Sequence, residues 1–264
     1  MNSLKLGLIG LSLLAVTSTA HAQKDTWTWR KAIGNGKTLE IKGVNGDISA
    51  TPASGNEVEV IARKSARKSD PDDVKLEVVE YAGGVTICAV YPTPRMERRD
   101  NECAPGDRGH MNTRNNDTQV DFEVRVPRGV HFTGKTVNGG VEATGLSGDT
   151  RGNTVNGSVR ISTTGLAAAH TVNGGINVRM GRSDWGDELS FGTVNGSIVI
   201  EMPDPLNADV DASTVNGGMS TDWPLTISGK WGPRHMRGRI GSGGQELHLA
   251  TVNGDIDLRR TSRN

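Results

Sequence analysis

Thr193-Val194-Asn195-Gly196-Ser197-Ile198 holds the unit that decides the fold, because its Val-Asn-Gly core returns at Asn45, Asn138, Asn156, Asn173, Asn216 and Asn253. Successive asparagines stand 93, 18, 17, 22, 21 and 37 residues apart. The last interval reads as two units, one with its motif eroded within Lys230 to Gly238. Six and four residues before the Asn stand apolar pairs such as Leu39 and Ile41, Leu189 and Phe191, and Leu247 and Leu249; only the unit at Asn156, with Thr150 and Gly152, is weak. Three and five residues after it come Ile48 and Ala50, Val159 and Ile161, Ile198 and Ile200, and Ile256 and Leu258. Both flanks alternate with period two, as strands with one buried face do. Inward positions are even before the motif and odd after it, so the chain must turn a corner or bulge inside the motif. That parity places Val194 and its equivalents inward and Ser197 in water.

Asn-Gly suits such a corner: both residues tolerate positive φ, and the Asn side chain can bond nearby backbone. Units of 17 to 22 residues match one coil of a β-solenoid, each coil pairing with its neighbours. Asn45, Asn138, Asn156, Asn173, Asn195, Asn216 and Asn253 would then form a structural ladder. Asn-Gly is also a hairpin signal, so the alternative is an antiparallel β-sandwich of hairpins. Parity opposes it, because a two-residue turn would set Val against Asp, Gly or Ser. The expected fold is therefore all-β, a β-solenoid over 136–264 that continues, as one domain, a more irregular β-rich part over 23–135.

Residues 1–22 read as a secretory signal: Lys5, an apolar run from Leu6 to Val16, and Ala20-His21-Ala22 before a cleavage between Ala22 and Gln23. No later run reaches the ~20 apolar residues of a spanning helix, so no transmembrane anchor is expected and the product is periplasmic or secreted. In an oxidising compartment Cys88 and Cys103 are read as a disulfide. Thirty basic and thirty acidic residues balance, which argues against nucleic acid as a partner. The 35 glycines and 4% aromatic content suit a repeat.

Trp27 and Trp29 alternate on an edge or capping strand; a sugar-stacking platform is the other reading. Strand-like runs follow at Val58 to Ala62, Val74 to Glu80, Val85 to Tyr91 and Thr118 to Val126, with a hairpin signal at Ala82-Gly83-Gly84. Between them lies the long irregular stretch 92–117, which carries Arg95, Arg98, Arg99, Arg108 and Arg114. These arginines are a candidate anion or glycan contact, set against a plain solvated excursion. His110 has no second ligand at useful spacing, and neither a metal nor a cofactor is expected.

The TVNG units, Asn207-Ala208-Asp209-Val210-Asp211-Ala212-Ser213-Thr214-Val215-Asn216-Gly217 and the closing Glu246-Leu247-His248-Leu249-Ala250-Thr251-Val252-Asn253-Gly254 resemble the bacterial "putative adhesin" domain-of-unknown-function family. The resemblance spans most of the chain beyond the signal. It includes Ile87-Cys88-Ala89-Val90-Tyr91-Pro92 and Cys103-Ala104-Pro105-Gly106, which look like the paired-cysteine insertion of some members. It implies an exported β-strand repeat protein of solenoid type with no established activity.

Two functions compete. One is a non-catalytic, envelope-associated structural or adhesin-like binding module, whose partner is an envelope glycan, a protein or another copy of itself. The other is a carbohydrate-active β-helix enzyme using outward acids, with Asp209, Asp211, Asp222, Asp255 and Asp257 as candidates. Asp209 and Asp211 alternate around inward Val210 as ordinary solvated residues do. No Gly-rich stretch has complete phosphate-loop or nucleophile-elbow spacing. The non-enzymatic reading is preferred.

Overall fold

The structure, a computed structural model, describes residues 25–186, 188–227 and 234–261; the expected signal and its expected Ala22–Gln23 cleavage site lie outside them. The N-terminal strands are β1 (Asp25–Ala32), β2 (Thr38–Lys42), β3 (Ile48–Pro52), β4 (Glu57–Ser65), β5 (Lys75–Tyr81), β6 (Gly84–Val90) and β7 (Gln119–Val126). The repeats supply β8 (His131–Lys135), β9 (Val141–Leu146), β10 (Thr150–Asn153), β11 (Val159–Thr163), β12 (Ala167–His170), β13 (Ile176–Met180), β14 (Glu188–Gly192) and β15 (Ile198–Met202). The chain finishes with β16 (Ala208–Ser213), β17 (Met219–Thr221), β18 (Thr226–Ile227), β19 (His235–Ile240), β20 (Glu246–Ala250) and β21 (Ile256–Arg260).

Strands preceding the motif join an upstream sheet, ordered β18-β19-β16-β20-β14-β12-β10-β8-β2-β6-β5; those following it join a downstream sheet, ordered β1-β4-β7-β3-β9-β11-β13-β15-β21-β17. Pairing is parallel through the middle of both sheets. This is a β-solenoid, and the hairpin sandwich is excluded. The two sheets close on one apolar core containing Leu39, Phe132, Phe191, Ile198 and Leu249. The weak unit is repaired from across the core: a Cβ on Gly152 would lie 2.5 Å from Val159 Cγ1, so the missing side chain is the space that Val159 fills.

The corner differs from the parity reading. Val137, Val155, Val172, Val194, Val215 and Val252 are 37–47% exposed, whereas Thr136, Thr154, Thr171, Thr193, Thr214 and Thr251 are 2–6% exposed. Alternation therefore continues inward through Thr, and Val faces out; Val44, where Gly43 replaces Thr, is the buried exception. Burying Thr is tolerable because its hydroxyl is satisfied. Thr193 Oγ1 donates to Gly174 O at 2.9 Å, and Thr154, Thr171, Thr214 and Thr251 bond the motif-glycine carbonyl of the adjacent coil at 2.8–2.9 Å. Nor does Asn take positive φ at any corner, since Asn115 is the one non-glycine with positive φ among the described residues. Glycine is needed for close approach instead: a Cβ on Gly196 would stand 2.1 Å from Gly174 O.

Coils do not stack in chain order. Parallel bridges join Asn45 to Asn138, Asn138 to Asn156, Asn156 to Asn173 and Asn173 to Asn195, but then Asn195 to Asn253 and Asn253 to Asn216. The last coil, β20–β21, is inserted between β14–β15 and β16–β17. At the other end β2–β3 lies between β8–β9 and a coil formed by β6–β7, whose corner is the 92–117 excursion. Of the stretch expected to hold the eroded unit, residues 230–233 lie outside the described set; the described remainder enters β19, which runs antiparallel on β16 as a cap and not as a parallel coil. Opposite, β4, β1 and β5 pair antiparallel with the end coil or with one another. Trp27 and Trp29 on β1 pack partly buried against the core.

Thr193→Val should cost about 1 kcal/mol through one lost hydrogen bond, while Val194→Thr should stay within about 0.5 kcal/mol of the wild type. Urea melts giving the reverse order would restore the inward valine. Truncation after Gly244 should abolish the cooperative transition seen by circular dichroism, because it removes a coil from within the stack; simple fraying at one end would contradict the interposed coil.

Candidate functional site: a trough on the upstream sheet

The outward positions of the upstream sheet form rows across strands. Register sets Glu40 beside Thr133, Thr133 beside Arg151 and Arg151 beside Ala168, with Ser190 beside His248. A parallel row runs Lys42, Lys135, Asn153, His170, Gly192 and Ala250. Small side chains at Thr133, Ala168, Ser190 and Gly192 keep the floor low. Two hollows of about 490 and 470 Å³ lie over this floor and share Asp149, Arg151 and Asn153. Together they form one trough across five strands, ~19 Å at a strand spacing of ~4.8 Å. Tyr81 lines one end and Trp185 the other.

The Tyr81 end is walled by the 92–117 excursion. Cys88 on β6 and Cys103 are disulfide-bonded, with Cα atoms 5.7 Å apart. Beyond that tie the wall rests on three charged side chains. Glu40, 3% exposed, accepts from Gly106 N and Thr86 Oγ1, both at 2.9 Å, and pairs with Lys135 at 3.1 Å. Lys135 also reaches Asp107 at 2.9 Å, and Lys42 donates to Ala104 O at 2.5 Å and Gly106 O at 2.6 Å. A buried carboxylate is tolerated on these terms, because its oxygens are bonded and its charge is matched. Burial pulls Lys42 below the ordinary lysine value against the attraction of Glu40. Lys135 is also desolvated, yet its bonds to Asp107 and Glu40 outweigh that and raise it.

The Trp185 wall comes from the connection between β13 and β14. The Trp185 amide donates to Gln245 Oε1, its Nε1 donates to Glu246 O at 3.0 Å, and Gln245 Nε2 bonds Ser183 O at 3.2 Å and Asn207 O at 3.0 Å. Inside the trough His170 Nε2 lies 3.2 Å from Ser190 Oγ. Partial desolvation, aided by the nearby His248 and Arg151, holds His170 below the ordinary histidine value, so its ring is neutral near pH 7 and offers both a donor and an acceptor. Asp149 N donates to His131 Nδ1 at 3.0 Å, and Asp149 Oδ1 accepts from Leu166 N at 2.9 Å. The trough thus offers one aromatic ring at each end and mixed donors and acceptors between them.

The residues singled out in the sequence lie elsewhere. Arg95, Arg98, Arg99, Arg108 and Arg114 are exposed on the excursion and line neither hollow; Arg99 pairs with Glu102 at 3.5 Å. The seven motif asparagines are hydrogen-bonded in a row along one corner, Nδ2 to Oδ1 at 2.7–2.8 Å, and Asn45 continues it to Thr118 O at 3.4 Å. The five acids are committed: Asp209 to Arg239 and Gly244 N, Asp211 to Arg237, Asp222 to Arg260 N, Asp255 to Gly218 N, and Asp257 to Ser220 and Arg259. No group of three metal-binding side chains occurs among the described residues. The trough escaped sequence reading because its residues are scattered over five coils. One signal was present: the interval from Asn173 to Asn195 is 22 residues where its predecessor is 17, and Trp185 sits in that excess.

Residues 30–259 match the family model described as Toastrack DUF4097, and the chain belongs to this domain-of-unknown-function family. No curated protein matches it. Among solved structures it is similar to a "putative cell adhesion protein" from Clostridium sporogenes ATCC 15579, at 10% identity and a TM-score of 0.46 over 90% of this chain and 100% of that one. It is also similar to a "putative adhesin" from Bacteroides fragilis NCTC 9343, at 13% identity and a TM-score of 0.34 over 90% and 98%. No helix among the described residues is long and apolar enough to cross a membrane.

The excursion is pinned at its far end by Asp117, whose carboxylate accepts from Ser69 N at 2.8 Å, Lys68 N at 3.1 Å and Arg67 N at 3.3 Å. Those bonds, led by Ser69, hold its pKa down at about 2. A lowered folded-state value means that the anchor is complete above the ordinary carboxylate range and is lost as pH falls through about 2. Protection of the Ser69 amide against exchange should fall across that window in the wild type and be low throughout in Asp117→Asn. A pH-independent protection factor in the wild type would refute the anchor.

Proposed function

We propose that this chain is an exported, non-catalytic, adhesin-like binding module of the cell envelope that holds a glycan in the trough of its upstream sheet. The observation that carries the reading is that two departures from the repeat, the 92–117 excursion and the Trp185 connection, wall the same face and are each fixed by specific polar bonds. Flat faces of parallel solenoids offer polar rows without walls; a walled trough with terminal aromatic rings fits a chain of sugar rings, which stack on aromatic faces and bond through hydroxyls. The non-catalytic part is supported by the five outward acids, all engaged by cations, hydroxyls or backbone amides. A glycosidase pair would need two carboxyl groups facing one bond.

Ala168→Trp places an indole on the trough floor, and Asn177→Trp places one on the outer face of the opposite sheet. Binding of the secreted chain to purified envelope polysaccharide, followed by affinity electrophoresis, should weaken about tenfold or more in Ala168→Trp, a change of about 1.4 kcal/mol. Asn177→Trp should bind as the wild type does. Equal affinities for all three proteins would remove the trough as the contact surface.

A further inference from the structure

We propose that the trough is selective for an acidic glycan and that Arg151 is the residue that takes its carboxylate; this rests on the trough being the glycan-contact surface. Arg151 lies where the two hollows meet and lines both. Its strand neighbours are Thr133 and Ala168, neither able to neutralise it. Of the acids lining the two hollows, three are already engaged: Glu40 with Lys135, Gly106 N and Thr86; Asp107 with Lys135; Asp149 with Leu166 N, and with Arg182 at 3.8 Å; the fourth, Glu188, stands on β14, two strands from Arg151. Its field reaches Asp107 and His170, but among the described residues it makes no hydrogen bond or ion pair. Lys42 and Lys135, by contrast, are spent on the wall. An exposed guanidinium with five donors, standing over a floor of small side chains, is shaped for a planar carboxylate held in bidentate fashion.

The rest of the trough specifies what carries that carboxylate. Ser190 and His170 lie toward Trp185, and β14 is two strands from β10, ~10 Å away. A group on Arg151 and a ring stacked at Trp185 therefore belong to different units of one chain. Glu188, which lines the same hollow and makes no hydrogen bond or ion pair among the described residues, adds acceptors for sugar hydroxyls. The occupant is an oligosaccharide with a uronic acid or similar carboxylated unit at the Arg151 position and a further sugar ring stacked at the Trp185 position. A small carboxylate alone would leave the Trp185 half empty.

The probe is trigalacturonate, with its fully methyl-esterified form as the neutral comparison, titrated calorimetrically into the secreted chain. Wild type should bind the acid about tenfold or more tightly than the ester. Arg151→Gln should erase that preference while leaving ester binding unchanged, and Trp185→Ala should weaken both ligands alike. Arg151 is exposed, so its variant should melt as the wild type does. Equal affinity for acid and ester in the wild type, or an undiminished preference in Arg151→Gln, would overturn the proposal. If wild type binds neither trisaccharide while Ala168→Trp still loses envelope polysaccharide, the acidic specificity falls and the trough stands. If Ala168→Trp loses nothing, both fall.

Discussion

Every coil of this molecule is locked to the next by the backbone of one glycine. At Gly196 the carbonyl of the neighbouring motif glycine comes so near that a Cβ would meet it at 2.1 Å, and the same carbonyl, Gly174 O, receives the Thr193 hydroxyl. Asn195 bonds Asn173 beside it. Three residues of the motif thus each make one inter-coil contact: Thr from inside, Gly through its backbone, Asn from outside. Valine is left facing water, where its β-branch favours extended backbone without filling the core. Because the lock is largely backbone and repeats at the six interfaces between motif coils, it fixes spacing and register there and leaves the outward side chains free to vary.

That lock does not specify which coil meets which. Asn253 stacks on Asn195 as well as Asn195 stacks on Asn173, with Nδ2–Oδ1 distances of 2.7 Å in both, so chain order is not imposed by the motif. What decides it is the ends. A solenoid with exposed terminal strands offers unpaired edges to other chains. Here the end coils are covered by antiparallel strands, β4 and β1 with β5 at one end and β19 with β18 at the other, while the β17 edge is only three residues long. Placing the final coil inside the stack lets the antiparallel β19 cover β16 on the outside. The cost is topological: strands far apart in sequence must pair before the stack closes, which lengthens loops to be ordered during folding.

These facts explain how much the sequence discloses. Period-two alternation in Leu189, Phe191, Ile198 and Ile200 is a local consequence of strand geometry, so the solenoid and its two-sided coil are legible. Val194 faces out although it is the apolar member of the pair at the corner, because Thr193 can be interior once its hydroxyl is satisfied by the Gly174 carbonyl. Coil order was hidden for a different reason: identical motifs carry no address. The cap at His235–Ile240 looked like a decayed coil because alternation is the same in antiparallel and parallel strands. As for the trough, Glu40, Arg151, His170 and Trp185 come together only through stacking, and no local window contains two of its walls.

The repeat also constrains where recognition can evolve. Corner positions are held by inter-coil packing, and inward positions by the core, so variation is confined to outward rows and to the connections between coils. Lengthened connections are cheap entropically, since closure cost rises only slowly with loop length, but an unanchored loop makes a poor wall. In this chain both walls are anchored, one by Glu40, Lys42, Lys135 and a disulfide, the other by Gln245 reaching Trp185, Ser183 and Asn207. Gln245 immediately precedes β20, the first strand of the interposed coil, so the Trp185 wall is set by the same out-of-order insertion that places β20–β21 within the stack. The topology that protects the end of the solenoid therefore also fixes one side of its candidate binding surface.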